Sequence, residues 1–304
     1  MLVLPKIIVI VGPTASGKTA LGLELAKKYN GEVINADSRQ IYKGMDIGTA
    51  KAQNEEKNID YLVQGIRHHL IDVVNPDEEF TLAHYKKLAF EAIDDVLRRN
   101  KLPIVVGGTG LYIWAIVDNL DIPIVPPNIK LRSALEKKTL SELMEMLKAS
   151  DPISAKKIDL KNPRRVMRAI EVALSSGESF TIKQKKLPPR YEALQIGLDI
   201  PREELVQRIN ERTEEQIKAG LVEEVRKLST KYLWTLPAMS GIGYKQVGYY
   251  LRGEISLADA IEMIKRDTRR YAKRQMTWFR RDKRIKWFES TSEADGWAKE
   301  FLDN

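Results

Sequence analysis

A chain of 304 residues, 43% hydrophobic and 30% charged, can bury a sizeable core and is too apolar to be disordered. It has no cysteine, which excludes disulfides, cysteine–zinc sites and thiol catalysis, and a reducing, cytoplasmic setting is expected. The net charge of +8 is uneven: from Ile264 to Phe288 eleven Lys/Arg face only Asp267 and Asp282, so the remainder is nearly neutral and the segment reads as the footprint of a polyanion.

Met1 to Lys6 run straight into Ile7-Ile8-Val9-Ile10-Val11, so no signal peptide is expected. No apolar run approaches the ~20 residues of a membrane helix. The β-branched stretch reads as a buried parallel strand. It ends in Gly12-Pro13-Thr14-Ala15-Ser16-Gly17-Lys18-Thr19, and a helical pattern from Ala20 to Ala26 follows. Strand, turn and helix opening are the setting in which G-x-x-x-x-G-K-[ST] cradles phosphate. The glycines let backbone N–H groups point inward and the helix N-terminus adds its dipole. Lys18 supplies a point charge and Thr19 a hydroxyl for a hydrated Mg²⁺. An ordinary strand–turn–helix loop is the alternative, but it has no need of the Gly-Lys-Thr ending. The loop leaves open whose phosphates it holds.

Glu32 to Ala36 reads as a second strand that ends in Asp37-Ser38, the spacing of an opening βαβ unit in a doubly wound sheet. Asp37 then faces the phosphate loop's crevice. Gln40 to Lys51 is an irregular, functional loop, and His69 to Val74 a short strand. Thr81 to Arg99 has helical spacing with Thr81 as N-cap, and Leu102 to Val106 is a buried strand ending in Gly107-Gly108-Thr109-Gly110. Asp121 to Pro127 is a proline-rich connector, Lys130 to Ser176 is helical, and Gln195 to Ile200 returns to the sheet. From Arg202 onward the chain reads as helical, over Glu203–Lys218, Val222–Lys231 and Ser256–Phe279. The expected architecture is α/β: a parallel-sheet core from residues 1–118 and 194–304, interrupted by a helical insertion at 119–193. The three histidines, His68, His69 and His84, are too few for a metal cage.

A small-molecule kinase is the default owner of such a loop. Its usual carboxylate for Mg²⁺ after four apolar residues is matched only imperfectly, by Asp37 and Asp72. Any diphosphate leaving group would suit the cradle. Six segments, GPTASGKT, NADSRQIYKGMDIGTAKA, RHHLIDVVNP, VVGGTGLY, NPRRVMRAIE and YAKRQMTWFR, resemble in sequence and order the motifs of the bacterial tRNA dimethylallyltransferase family. The resemblance implies a P-loop-kinase-like fold, Mg²⁺ as cofactor and a monomer in the cytoplasm. It implies transfer of a dimethylallyl group from its diphosphate to N6 of the adenine beside the anticodon in a tRNA anticodon stem-loop.

Residue by residue, it makes Asp37 the base and Thr109 the residue that orients the reactants. Gly12, Pro13, Thr14, Ala15, Ser16, Gly17, Lys18 and Thr19, with Arg208 and Arg212, would hold the diphosphate, and Lys18 would neutralise its charge. Asp37, Ser38, Arg39, Gln40 and Thr109 would contact the target adenine and its neighbours. Asn162, Pro163, Arg164, Arg165, Val166 and Arg168 would touch tRNA from the insertion, and Lys245, Lys273 and Arg274 from the basic end. Tyr271, Trp278, Phe279 and Trp287 could stack on bases or form the core face of a helix. The roles of His68, His69 and Tyr244 stay open. The rival readings are a small-molecule kinase, a prenyltransferase of free adenine nucleotide, and a non-catalytic RNA-binding protein.

Overall fold

In the computed structural model, which describes residues 3–55, 61–122, 128–183, 185–288 and 291–304, the first apolar run becomes β1 (Lys6–Val11). Ile7, Val9 and Val11 enter one core cluster and Ile8 and Ile10 another, so period-two alternation buries both faces of the strand. There follow α1 (Lys18–Lys28), β2 (Gly31–Asn35), β3 (Tyr61–Val63), β4 (Ile66–His69), α2 (Leu82–Arg98), β5 (Leu102–Val106) and α3 (Gly110–Val117). Five helices come next: α4 (Ile129–Leu135), α5 (Leu140–Ser150), α6 (Pro152–Ala155), α7 (Pro163–Ser176) and α8 (Phe180–Lys183). The chain then forms β6 (Glu192–Leu198), α9 (Arg202–Lys218), α10 (Leu221–Ser229), a 3₁₀ turn at Ala238–Ser240, α11 (Tyr244–Leu251), α12 (Leu257–Phe279), β7 (Lys286–Phe288) and α13 (Thr291–Asp303). The strands lie in the order β3-β4-β2-β5-β1-β6-β7, all pairs parallel except β3 with β4. The architecture is α/β, with a mostly parallel seven-stranded sheet.

The chain divides into two compact units, Met1–Val117 with Arg190–Asn304, and Asp118–Pro189. In the first unit the carboxyl ends of β1, β2 and β5 are adjacent, and each runs into a polar or glycine-rich turn. Gly107 N–H donates to the Ile10 carbonyl at 3.2 Å and Thr109 N–H to the Ala36 carbonyl at 3.1 Å, so the three turns are tied at one edge. In the second unit Leu143, Leu147, Val166, Ile170 and Phe180 form a separate apolar core. Inside it the carboxylate of Glu171, fully buried, accepts from the Asn128 backbone at 2.6 Å and from the guanidiniums of Arg132 and Arg168. The proline-rich connector lies outside the described residues from 123 to 127.

Two expected elements are corrected. The stretch from His69 to Val74 is no strand: only His69 belongs to β4, and Leu70 and Asp72 take φ of 62° and 56°, which breaks extended pairing. The chain after Arg202 is not wholly helical, because Lys286–Phe288 pairs with β6 as an edge strand. A three-residue strand is too short to show its period, and the basic residues around it hide its apolar side. Thr81 does cap α2: its hydroxyl accepts from His84 N–H at 3.2 Å.

Candidate active site

The phosphate loop joins β1 to α1. Gly17 takes φ of 95°, in the left-handed region that a side chain would strain, and this lets α1 open with its N–H groups facing the cleft. Lys18 Nζ donates to the Pro13 carbonyl at 2.6 Å. Burial pushes the Lys18 ammonium down to about 8; Asp37 opposes the shift and Arg212 adds to it. Ser16 is buried and its hydroxyl has no partner among the described residues, so it is a donor left for a ligand. Thr14 to Thr19 line a cleft of about 380 Å³ together with Asp37, Gly107, Gly108, Arg208, Arg212 and Gln275.

Asp37 leaves the end of β2 in a tight polar turn. Its N–H donates to Asn35 Oδ1 at 3.1 Å, and Asn35 Nδ2 in turn donates to the Leu70 carbonyl at 2.9 Å. Arg39 N–H donates to Asp37 Oδ1 at 2.8 Å, and Oδ2 has no protein hydrogen bond among the described residues. Ser38 N–H donates to Thr109 Oγ1 at 3.0 Å, and the Thr109 hydroxyl donates to Ser38 Oγ at 3.3 Å. Burial pushes the Tyr271 phenol above its usual value, with the Asp37 charge adding to the shift. A second cleft of about 350 Å³ opens here, lined by Asp37, Ser38, Arg39, Tyr244, Tyr271 and Arg274 among others. The two clefts share Thr14, Ala15, Asp37, Thr49 and Arg212. Asp37 therefore stands on a wall common to a phosphate cradle and a neighbouring cleft lined by tyrosines.

The loop after Asp37 is held from outside itself. The Glu224 carboxylate accepts from the backbone N–H groups of Asp46, Ile47 and Gly48 at 3.0, 2.7 and 3.1 Å, and from the Tyr244 hydroxyl at 2.6 Å. The Lys51 ammonium, almost fully buried, donates to the Tyr42 carbonyl at 2.6 Å and pairs with Asp46 and Asp72. Gln40 Nε2 bonds the Thr49 carbonyl at 3.1 Å, and Arg39 Nη1 the Pro237 carbonyl at 2.7 Å. Tyr244, left open in the sequence, is thus one of the loop's anchors.

The two arginines of α9 differ. Arg212 lines both clefts and donates to Thr14 Oγ1 at 3.3 Å, with burial holding its guanidinium below the usual value. Arg208 lines only the phosphate cleft, and its guanidinium is paired with Glu204 one turn back. In the second unit Asn162 Oδ1 caps α7 by accepting from Arg165 N–H at 3.3 Å, and Pro163 opens that helix. Arg164 and Arg165 are exposed, while Arg168 is bound to Glu171. Val166 is corrected: fully buried in the apolar core of its unit, its side chain has no surface to offer RNA. Lys245, Lys273 and Arg274 are exposed.

Of the two readings open for the aromatics of the basic segment, the core one holds for three. Phe279 is buried, Trp278 and Trp287 pack against the same core, and the Trp278 ring lies 4.5 Å from that of Trp114. Only Tyr271 reaches a cleft. His68 and His69 are structural: the first sits buried with Nδ1 on the Ile66 carbonyl, and the second meets the buried Glu32 at 2.8 Å. Residues missed in the sequence are Glu224, Gln275 and Gln216, whose amide donates to the Ile47 carbonyl at 2.5 Å in the loop after Asp37. Gln275 alone had a local signal, one helical turn after Tyr271 in the same motif. Among the described residues no three His, Asp or Glu side chains converge as a metal site.

Residues 40–282 match the model of the family described as IPP transferase. The chain is 49% identical over 290 residues to the tRNA dimethylallyltransferase of Acetivibrio thermocellus, covering 93% of this chain and 91% of that one. Among solved structures it is similar to the full-length tRNA isopentenylpyrophosphate transferase of Bacillus halodurans, at a TM-score of 0.71, 37% identity, and coverage of 98% of this chain and 95% of that one. It is also similar to a eukaryotic dimethylallyltransferase solved while acting on tRNA, at a TM-score of 0.76 and 32% identity, covering 90% of this chain and 69% of that one.

Proposed function

The chain belongs to the IPP transferase family, and on that premise we propose that it transfers the dimethylallyl group of dimethylallyl diphosphate to N6 of the adenine 3′-adjacent to the anticodon of certain tRNAs. One observation carries the reading: Asp37 lies on the wall shared by the phosphate cleft and the cleft lined by Tyr271. A donor diphosphate in the first and an extruded adenine in the second would meet at this carboxylate.

An exocyclic adenine nitrogen is a weak nucleophile because its lone pair is delocalised into the ring. As N6 bonds to C1 of the dimethylallyl group, the C1–O bond breaks and the electron pair leaves with diphosphate. Asp37 Oδ2 takes the N6 proton, a contribution of roughly 10²–10⁴-fold for a placed base. Charge growing on the leaving diphosphate is met by Lys18, Arg212, the Ser16 hydroxyl and the backbone N–H groups at the start of α1. The donor set also suits Mg²⁺, which prefers one or two protein oxygens plus phosphate and water; Thr19 would hold it, and the ion would neutralise diphosphate charge. Arg39, Gln40, Lys245, Lys273 and Arg274, with Asn162, Arg164 and Arg165 on the insertion, are the proposed tRNA contacts. A cytoplasmic setting is part of the same proposal.

The test is incubation with Mg²⁺, radiolabelled dimethylallyl diphosphate and either tRNA, AMP or ATP. Label only in tRNA is expected, and Asp37→Ala should bind tRNA normally yet lose at least ~100-fold in single-turnover rate. Label only in AMP, or phosphoryl transfer from ATP without RNA, would overturn the reading.

A further inference from the structure

Gln275 lies on α12 with its side chain buried, 6% exposed, and it uses both ends of its amide. Its Oε1 accepts from Thr14 N–H at 2.8 Å, and its Nε2 donates to the Gly108 carbonyl at 2.8 Å. Thr14 belongs to the turn after β1 and Gly108 to the turn after β5, and these strands are neighbours in the sheet. One side chain therefore bridges the phosphate loop and the turn that presents Thr109. The fit is close: a Cβ built on Gly108 would come within 2.2 Å of Gln275 Nε2, so the second glycine is the residue that lets the amide in. One helical turn earlier on the same face, Tyr271 lines the cleft beside Asp37 and Ser38.

The bond to Thr14 does more than hold the loop. In a trans peptide the N–H and the preceding C=O point in opposite directions. Drawing the Thr14 N–H toward α12 turns the Pro13 carbonyl the other way, where it receives the Lys18 ammonium at 2.6 Å. Gln275 thus fixes the peptide that holds Lys18, although it carries no charge and has no chemistry of its own.

We propose that Gln275 is a positioning residue that sets the reach between the phosphate loop and the Thr109 turn by bridging Thr14 N–H and the Gly108 carbonyl. This rests on the reading that the two turns hold donor and acceptor. Lys273 and Arg274 are exposed on the same helix, so the helix with the basic stripe also carries the strut between the two turns.

The full-length protein tests it in two variants. Gln275→Leu, which removes both bonds, is expected to lower kcat by about 10- to 100-fold, the effect of a misplacement near 1 Å, with KM for tRNA within about 3-fold. Gln275→Glu distinguishes a specific bridge from simple packing. An ionised carboxylate faces the Gly108 carbonyl with no proton to give, whereas the neutral acid can donate there and still accept from Thr14. Its activity relative to the unmodified protein should therefore climb as pH falls, while that of Gln275→Leu stays level. Binding of inorganic diphosphate with Mg²⁺, measured by calorimetry, should weaken in both variants at neutral pH, whether or not prenyl transfer occurs. Kcat within 3-fold of the unmodified protein in Gln275→Leu, or a flat pH ratio in Gln275→Glu, would overturn the proposal. So would losses confined to the melting temperature. Failure of the unmodified protein to label tRNA would instead overturn the function on which it rests, and diphosphate binding would still judge the bridge.

Discussion

The ionisation of Lys18 ties local structure to rate. Its ammonium sits among Pro13, Arg212 and Asp37, and desolvation brings its pKa down to about 8, well below the 10.5 of a free lysine. In the proposed reaction the charged form holds diphosphate, and in the free protein it is present below about 8 and lost as pH rises through that value. A bound diphosphate favours the ammonium and moves its loss to higher pH. The sign follows: kcat/KM for dimethylallyl diphosphate, which reports the free protein, should fall above pH ~8, while kcat holds to more alkaline pH. Parallel profiles, or no alkaline limb in kcat/KM, would exclude this assignment. Asp37 is placed differently, by an Asn35–Asp37–Arg39 turn that uses one carboxylate oxygen and leaves the other toward the cleft.

At the scale of elements, the loop from Ser38 to Lys51 has neither helix nor strand to stiffen it, and its shape comes from α10 and α11. Glu224 receives three successive loop N–H groups and the Tyr244 hydroxyl, a concentration of charge-assisted bonds on one carboxylate. Glu224→Gln places an amide NH₂ where two acceptors were needed. It should cost about 2 kcal/mol in denaturant unfolding and raise KM for tRNA while leaving KM for dimethylallyl diphosphate within 2- to 3-fold. Equal changes in both KM values would show that the clamp serves general stability and not a loop that meets the RNA. The α12 helix shows the same division of labour. Tyr271, Gln275 and Phe279 face inward at intervals of four, Lys273 is exposed, and Arg274, also exposed, lines the cleft beside Tyr271.

For the whole molecule, the basic segment predicts a salt dependence. Several of its cations are already matched: Arg280 with Asp199, Arg284 with Asp282, Lys265 with Glu214, and Arg266 with Asp267. Lys273 has no acidic partner among the described residues and Arg274 lies over the Tyr271 ring, so both remain to meet phosphates. In the double variant Lys273→Ala/Arg274→Ala, the slope of log K for tRNA against log salt should shrink by roughly 1.5, with donor binding unchanged. An unchanged slope would move the RNA surface elsewhere.

Much of this was legible without coordinates. The phosphate loop, the strands at Ile7, Glu32 and Leu102 and the capped helix after Thr81 all come from short-range rules: β-branched runs, glycine turns, caps and helical period act within a few residues of chain. Asp37 and Thr109 could be set at one crevice because parallel strands deliver their carboxyl ends to the same edge. What only the tertiary structure decided is contact between distant segments. Gln275 and Thr14 are 261 residues apart and Glu224 and Gly48 are 176 apart, and nothing local at either end announces the partner. The same holds for Val166 and Trp278, whose burial depends on which face of a helix meets a core. Identity and spacing determined which groups can bind phosphate and take a proton; packing over long sequence separations decided which polar side chains hold them in register.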